Sequence, residues 1–185
     1  LNYVSQDFGQ YDGTGDNKGL QTTKWDNTRL DIVSDITNIP EPDRSFDAVM
    51  CIEVFEHIPD PILAIKEFSR LIRPGGFLVI TAPFCSFTHF APYHFYTGFN
   101  RYFYETHLKE NGFEIIELSE NGNYFEFVAQ ELMRVPFCAD KYAGSKVSFL
   151  NKALLMKVVL MLSKLAKKDK GSQEFSNFGL QKKKK

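Results

Sequence analysis

Cysteine is scarce in this 185-residue chain, and the three present, Cys51, Cys85 and Cys138, are far apart. They form no C-x-x-C pair and no Cys/His ligand spacing. That excludes a disulfide framework and a zinc finger, and reads as reduced core thiols in a cytoplasmic protein with no metal. Long apolar runs are missing too: no stretch of about 18 uncharged apolar residues is available to span a bilayer, and no signal peptide is recognisable. Excess charge is also absent. A net charge of -1 argues against a protein organised around nucleic-acid phosphates. The balance is uneven, however, because twelve lysines face two acids beyond Asp140. The chain starts at Leu1, not Met, and runs directly into a strand-like segment, which points to a fragment.

What remains is the composition of one soluble globular domain, with 43% apolar, 24% charged and 15% aromatic residues. Leu1–Gln6 and Leu30–Val33 read as short strands, each followed by an acid, Asp7 and Asp35. Between them lies a loop rich in Gly, Asp, Asn and Thr with Trp25 as its anchor, and 36–45 reads as a turn region. Phe46–Ile52 (FDAVMCI) and Phe77–Ala82 (FLVITA) are nearly continuous apolar runs, the pattern of strands buried on both faces. Between them, 59–72 has helical spacing, with Asp60 as cap, Pro61 in the first turn, and Pro74-Gly75-Gly76 as the stop.

A long aromatic and histidine-rich connection follows over 84–97. Phe99–Asn111 then reads as a helix closed by Gly112, and Phe113–Leu118 as a strand. Tyr124–Arg134 and Val147–Lys168 look helical, 175–181 reads as a short last strand, and Lys182–Lys185 as a solvated tail. Alternating strands and helices give an α/β fold with a largely parallel sheet. The expected organisation is a single domain: a core over 1–135, an inserted or C-terminal helical segment over 136–174, and the last strand and tail over 175–185.

Ligands of open parallel sheets bind beyond the carboxyl ends of the strands. Asp7, Asp35 and Glu53 each stand at such an end. A carboxylate there offers two acceptor oxygens to the two hydroxyls of a ribose, and a second can accept from an exocyclic amine. An adenosine-containing cofactor requires such a pair, although acids also end strands with no ligand to hold.

Four ordered segments, D-I-T-N-I-P, S-F-D-A-V, E-V-F-E-H-I-P-D and R-P-G-G-F-L-V-I, resemble the class I S-adenosylmethionine-dependent methyltransferase family. The likeness is greatest to its small-molecule and lipid-modifying branch. The later stretch HFYTGFNRYFYETHLKENGFEII is similar to the family's helix before its sixth strand. The resemblance implies a Rossmann-like three-layer sandwich, incomplete at the N-terminus, that binds S-adenosyl-L-methionine. It would place Asp7 on the ribose, Asp35 on the adenine amine with Ile36 beside the ring, and Cys51, Ile52 and Glu53 along the methionine end and the reacting methyl. His57 falls on the family's E-H position, where holding the loop is the simpler role.

The family's glycine-rich loop should precede Asp7 and does not; Asp12-Gly13-Thr14-Gly15 follows it and reads as loop. The family's first strand, which lies mid-sheet between those ending at Asp7 and Glu53, is missing with it, so each neighbour should have an unpaired edge.

The implied reaction is in-line methyl transfer to a small-molecule or lipid-like acceptor, for which the protein supplies positioning and desolvation. Glu53, His57, His89 and His94 are candidate bases if the acceptor must lose a proton, with Glu53, His57 and His94 the catalytic set. The aromatics of 84–103 would wall the acceptor side or simply pack over the sheet edge. The basic, apolar helix 147–168 either lies on an anionic membrane or packs within the protein. Two other readings stay open: a methyltransferase-like binding module without catalysis, and a nicotinamide-dependent enzyme, which would need a hydride-transfer set of residues.

Overall fold

The computed structural model describes residues 2–11, 13, 19–20 and 28–171 and the backbone of 177–183. Trp25 and most of the glycine- and aspartate-rich loop lie outside the described residues. The chain clusters into two compact units, Leu1–Ser119 with Asn177–Lys185, and Glu120–Ser176.

In the first unit, β1 (Gln6–Asp7) pairs in parallel with β2 (Ile32–Val33) as a separate two-stranded sheet. Both are shorter than their apolar stretches suggest. The main sheet has the order β3 (Phe46–Ile52), β4 (Ile72–Ala82), β6 (Asn177–Lys183), β5 (Phe113–Ser119). β3 and β4 are parallel, and β6 runs antiparallel to both β4 and β5, so three of the four strands point one way. Lys182 and Lys183, expected in a solvated tail, have their backbones in this ladder, opposite Phe77 and Phe113. Among the described residues no strand joins β1 to β3, and each is an edge.

The helix α1 (Pro61–Leu71) forms for local reasons. The Asp60 carboxylate accepts from the Leu63 N–H at 3.0 Å, Pro61 occupies the first turn, and Ala64, Ile65, Phe68 and Leu71 share one buried face. Pro74-Gly75-Gly76 bulges out between the pairs Phe46–Ile72 and Ala48–Phe77. Gly75 has φ +80, a conformation glycine adopts at little cost. The helix α2 (Arg101–Glu110) is capped by the Asn100 side chain, which accepts from the N–H groups of Tyr102 and Phe103.

Period-two alternation divides β3 and β4 into two faces. Cys51, Leu78 and Ile80 are buried in one core with Phe55, Ala64, Ile65, Phe68, Tyr104, Leu108 and Phe113, and Val49 packs on it. Each fully buried aliphatic or aromatic side chain there contributes about 1.5–3 kcal/mol. The opposite face departs from the expectation of strands buried on both sides. Met50 is 69% exposed, Ile52 45% and Phe77 40%. Of the three expected layers, the described residues of this unit form the sheet and one helical layer, α1 with α2.

The 36–45 turn is held by a buried acid. Glu67 Oε1 accepts from the Ile39 N–H at 2.7 Å and from Arg70 Nη2 at 2.7 Å, and Arg70 also donates to the carbonyls of Ile39 and Glu41 and to Asp43.

The second unit is a helical hairpin, α3 (Tyr124–Ala143) and α4 (Phe149–Ala166). α3 continues past the expected Arg134 and through Pro136, ending at Gly144 with φ +57. Ala129 of α3 packs against Val159 and Leu162 of α4.

Candidate cofactor and active site

The parallel register Gln6–Ile32 and Asp7–Val33 sets the ends of β1 and β2 side by side. Asp7 is half-buried, and its Oδ1 accepts from the Gly9 N–H at 2.7 Å. Gly9 has φ +71, and a Cβ there would stand 2.9 Å from Val33 Cγ1, so this turn requires glycine. Asp35 is exposed two residues beyond β2. Its Oδ1 accepts from Thr37 N–H at 2.8 Å and Thr37 Oγ1 at 2.7 Å, and Ile36 behind it packs on the core. Each acid is thus oriented by its own loop through one oxygen. Among the described residues, none donates to the Oδ2 of either.

At the tip of β3 the side chains diverge. Cys51 turns its thiol into the core, where burial, with the charges of Glu56 and Glu53 adding to it, raises the thiol far above its usual range. It stays protonated, and only its backbone reaches the tip. Ile52 points to the exposed face. Glu53 has φ +52, a left-handed conformation costing about 1–2 kcal/mol in a residue with a Cβ. Its N–H donates to the Thr81 carbonyl at 2.9 Å, and Thr81 Oγ1 donates to its Oε1 at 2.7 Å. Strain held by such a network is characteristic of functional sites.

Beyond Glu53 the chain makes a 3-10 turn, Phe55–His57. Glu56 is 1% exposed and its Oε2 has no hydrogen-bond partner. Its backbone carbonyl accepts from the N–H of Phe95 at 2.8 Å and of Tyr96 at 3.3 Å, which fastens the 84–97 connection to this turn. Burial pushes the Glu56 carboxyl up to about 7, and the Glu53 charge adds to it. His57 Nδ1 bonds the Tyr93 carbonyl at 2.6 Å, and its Nε2 has no partner. Burial pushes His57 down to about 4, with repulsion from His89 and His94 adding to the effect and the Tyr93 carbonyl opposing it. His57 is therefore an uncharged imidazole at neutral pH and a weak base.

The His57 ring lies 4.7 Å from that of His89 and 5.9 Å from that of His94. The residues after β1 join this cluster: Phe8 packs edge-on against Tyr93, and Tyr11 against Phe90. His94 is lowered by burial and by His89, and its Nε2 lies 3.3 Å from Ser86 Oγ.

Glu53, His57 and His94 are therefore brought to one end of the main sheet, while Asp7 and Asp35 stand at and just beyond the ends of the separate β1–β2 pair. Three members of this region were not among the candidates read from sequence: Glu56, Thr81 and Tyr104. Tyr104 is 2% exposed with an unpartnered hydroxyl, and burial followed by the charges of Glu53 and Glu56 raises it. The second acid of E-V-F-E-H was a usable signal for Glu56, since it follows directly on the apolar Phe55. For Tyr104 and Thr81 no pattern in the sequence points to the site.

Residues 11–80 match the family model of a methyltransferase domain. The matched stretch is less than half of the chain. It contains Asp35, Cys51, Ile52, Glu53, Glu56 and His57, and ends in β4. A ubiquinone biosynthesis O-methyltransferase of Xanthomonas oryzae is 40% identical over 63 residues, 34% of this chain and 26% of that protein. The protein of the same name from Alkalilimnicola ehrlichii is 41% identical over 49 residues, 26% of this chain and 19% of that one. The match thus spans about a quarter or less of these relatives. The phosphoethanolamine N-methyltransferase 2 of Haemonchus contortus, solved with S-adenosyl-L-methionine, superposes with a TM-score of 0.47 at 21% identity, over 83% of this chain and 36% of that one.

Proposed function

We propose that this chain is part of an S-adenosylmethionine-dependent methyltransferase acting on a small-molecule or lipid-like acceptor. The observation that carries this reading is the pair Asp7 and Asp35, at and just beyond the paired ends of β1 and β2, each held by its own loop through Oδ1. This pair of acceptors fits the adenosine half of the cofactor: Asp7 offers acceptor oxygen to the ribose hydroxyls and Asp35 to the adenine amine, with apolar Ile36 beside the ring. Glu53, braced by Thr81 at the tip of β3, stands where the methionine end would pass. The bound cofactor supplies a methyl group already activated on a sulfonium, so the protein's part is to position the acceptor in line and exclude water. The 84–97 connection, with Phe87, Phe95 and Tyr96 exposed, forms the acceptor side. Where the acceptor must lose a proton, Glu53 suits the task better than His57, because it is exposed and His57 is held low by burial.

The direct test is a thermal melt with S-adenosylhomocysteine and, separately, with homocysteine. A saturable rise with the first and none with the second supports an adenosine-reading site. A folded chain indifferent to both contradicts it.

A membrane-surface position for the hairpin is favoured by one specific observation. Leu150, Leu154 and Leu160 of α4 are 78%, 61% and 57% exposed, on a helix whose only charged residues are Lys152, Lys157 and Lys164. No helix among the described residues is long and apolar enough to cross a membrane. Such a helix suits an anionic lipid surface, and a lipid-like acceptor would be met there. Vesicle co-sedimentation checks this: anionic vesicles should retain the protein, and Lys152→Glu with Lys157→Glu should release it. Equal binding to neutral vesicles would remove the electrostatic part of the proposal.

A further inference from the structure

The geometry points to a divalent metal site of the zinc class, formed by the Glu56 carboxylate, His57 Nε2 and His89 Nε2. These three ligand atoms lie within 4.8 Å of one another. Glu56 Oε1 is 3.6 Å from His57 Nε2 and 3.9 Å from His89 Nε2. Neither distance is a hydrogen bond, and His57 Nε2 and the other Glu56 oxygen, Oε2, have no partner among the described residues. A tetrahedral zinc ion with ligand bonds of about 2.0 Å spaces its donors about 3.3 Å apart, so the two contacts need close by well under 1 Å.

The hydrogen bonds on the far side of both rings fix the tautomer. His57 Nδ1 faces the Tyr93 carbonyl at 2.6 Å and His89 Nδ1 faces the Phe87 carbonyl at 2.8 Å. A carbonyl only accepts, so each Nδ1 carries the proton and each Nε2 is left with its lone pair, 3.6 Å and 3.9 Å from Glu56 Oε1. Imidazoles that ligate metals are typically held this way, with the outer nitrogen donating to a carbonyl or carboxylate.

Burial sharpens the case. A carboxylate 1% exposed whose Oε2 lacks any partner, beside the His57 Nε2 that also lacks one, is costly unless something cationic at the carboxylate compensates both. A proton can do this for one of them; a divalent cation does it for both. Two neutral imidazoles and one carboxylate suit zinc and its neighbours in preference to magnesium or calcium, which favour all-oxygen sets. The site ties the 3-10 turn after β3 to the 84–97 connection. Three protein ligands leave a position open to an acceptor oxygen; that role rests on the methyltransferase reading, whereas the site itself does not.

The test is a zinc titration of the full chain, first stripped with a chelator, in competition with a chromophoric chelator. One equivalent should bind, and His89→Ala should weaken it by at least about tenfold, since loss even of an outer-shell partner has effects of that size. His89 lies in a connecting segment outside the helices and strands, so this variant should fold even where Glu56→Gln does not; circular dichroism checks it. Cobalt in place of zinc should give the visible bands of a four-coordinate ion. The exposed His107–Glu110 pair and the exposed Cys85 are the controls, and His107→Ala and Cys85→Ser should leave binding unchanged. A folded chain that binds no zinc, or binding lost in either control and kept in His89→Ala, overturns the proposal. Zinc bound without any response to S-adenosylhomocysteine would contradict the methyltransferase reading and leave this site standing.

Discussion

The two faces of the β3–β4 pair come from the same two apolar runs, Phe46–Ile52 and Phe77–Ala82, and have opposite fates. On one face Leu78 and Ile80 are 0% and 1% exposed, packed against α1 and α2. On the other, Met50 and Ile52 stand open. The sequence pattern is apolar at both, because hydrophobicity records what a strand can cover, not which neighbour covers it. The strand edge beside β3 shows the same thing in the plane of the sheet. A face and an edge of this kind are where a further element of the fold would pack.

The sharpest way to break the comparison is to truncate one residue on each face. Ile80→Ala should cost about 3 kcal/mol by denaturant unfolding, the usual loss for a buried aliphatic, and Met50→Ala no more than about 0.5 kcal/mol. Equal losses would mean that the open face is covered in solution.

Next is the ion pair under the 36–45 turn. Arg70→Met should destabilise by about 2 kcal/mol, less than for a fully buried pair because Arg70 is itself 31% exposed. Its hydrogen bonds hold the Glu67 carboxyl below the usual range. Glu67 therefore adds stability that is complete above the ordinary carboxylate pKa and is lost as pH falls through its lower folded value. In Arg70→Met that acid-side loss should flatten; an unchanged pH profile would count against the pair.

A smaller effect, about 1 kcal/mol, is expected for Asn100→Ala, which removes the α2 cap and loosens the helix carrying Tyr104. Smallest of all, Leu154→Gln on the exposed side of α4 should change stability by less than about 0.5 kcal/mol while reducing retention on anionic vesicles. A large loss of stability there would show that α4 uses this side for packing.

The elements with both a local start signal and an apolar stripe were legible in the sequence. Asp60-Pro61 starts α1, and Asn100 and Gly112 bracket α2, because caps are properties of a few neighbouring residues; Pro74-Gly75-Gly76, expected as the stop of α1, falls inside β4, since α1 already ends at Leu71 where the pairing with β3 begins. β1 and β2 shrink to two residues each, since strand length depends on a partner that no local pattern specifies. α3 runs through Pro136 because its packing against α4 outweighs one missing N–H. In the site, Asp7, Asp35 and Glu53 were visible as acids ending strands. Tyr104 was not, because its significance is burial without a partner, and burial comes from residues distant in the chain; for Glu56 the one local signal was its place directly after the apolar Phe55.

The central claim is that Asp7 and Asp35 read one adenosine-bearing ligand. Calorimetric titration with S-adenosylhomocysteine, on the wild type and on Asp7→Ala and Asp35→Ala, tests it most directly. The account predicts a single site in the wild type, weakened at least about tenfold by either change, the worth of a charge-assisted hydrogen bond, with melting in the absence of ligand almost unaltered. Binding in both variants equal to that of the wild type would contradict it.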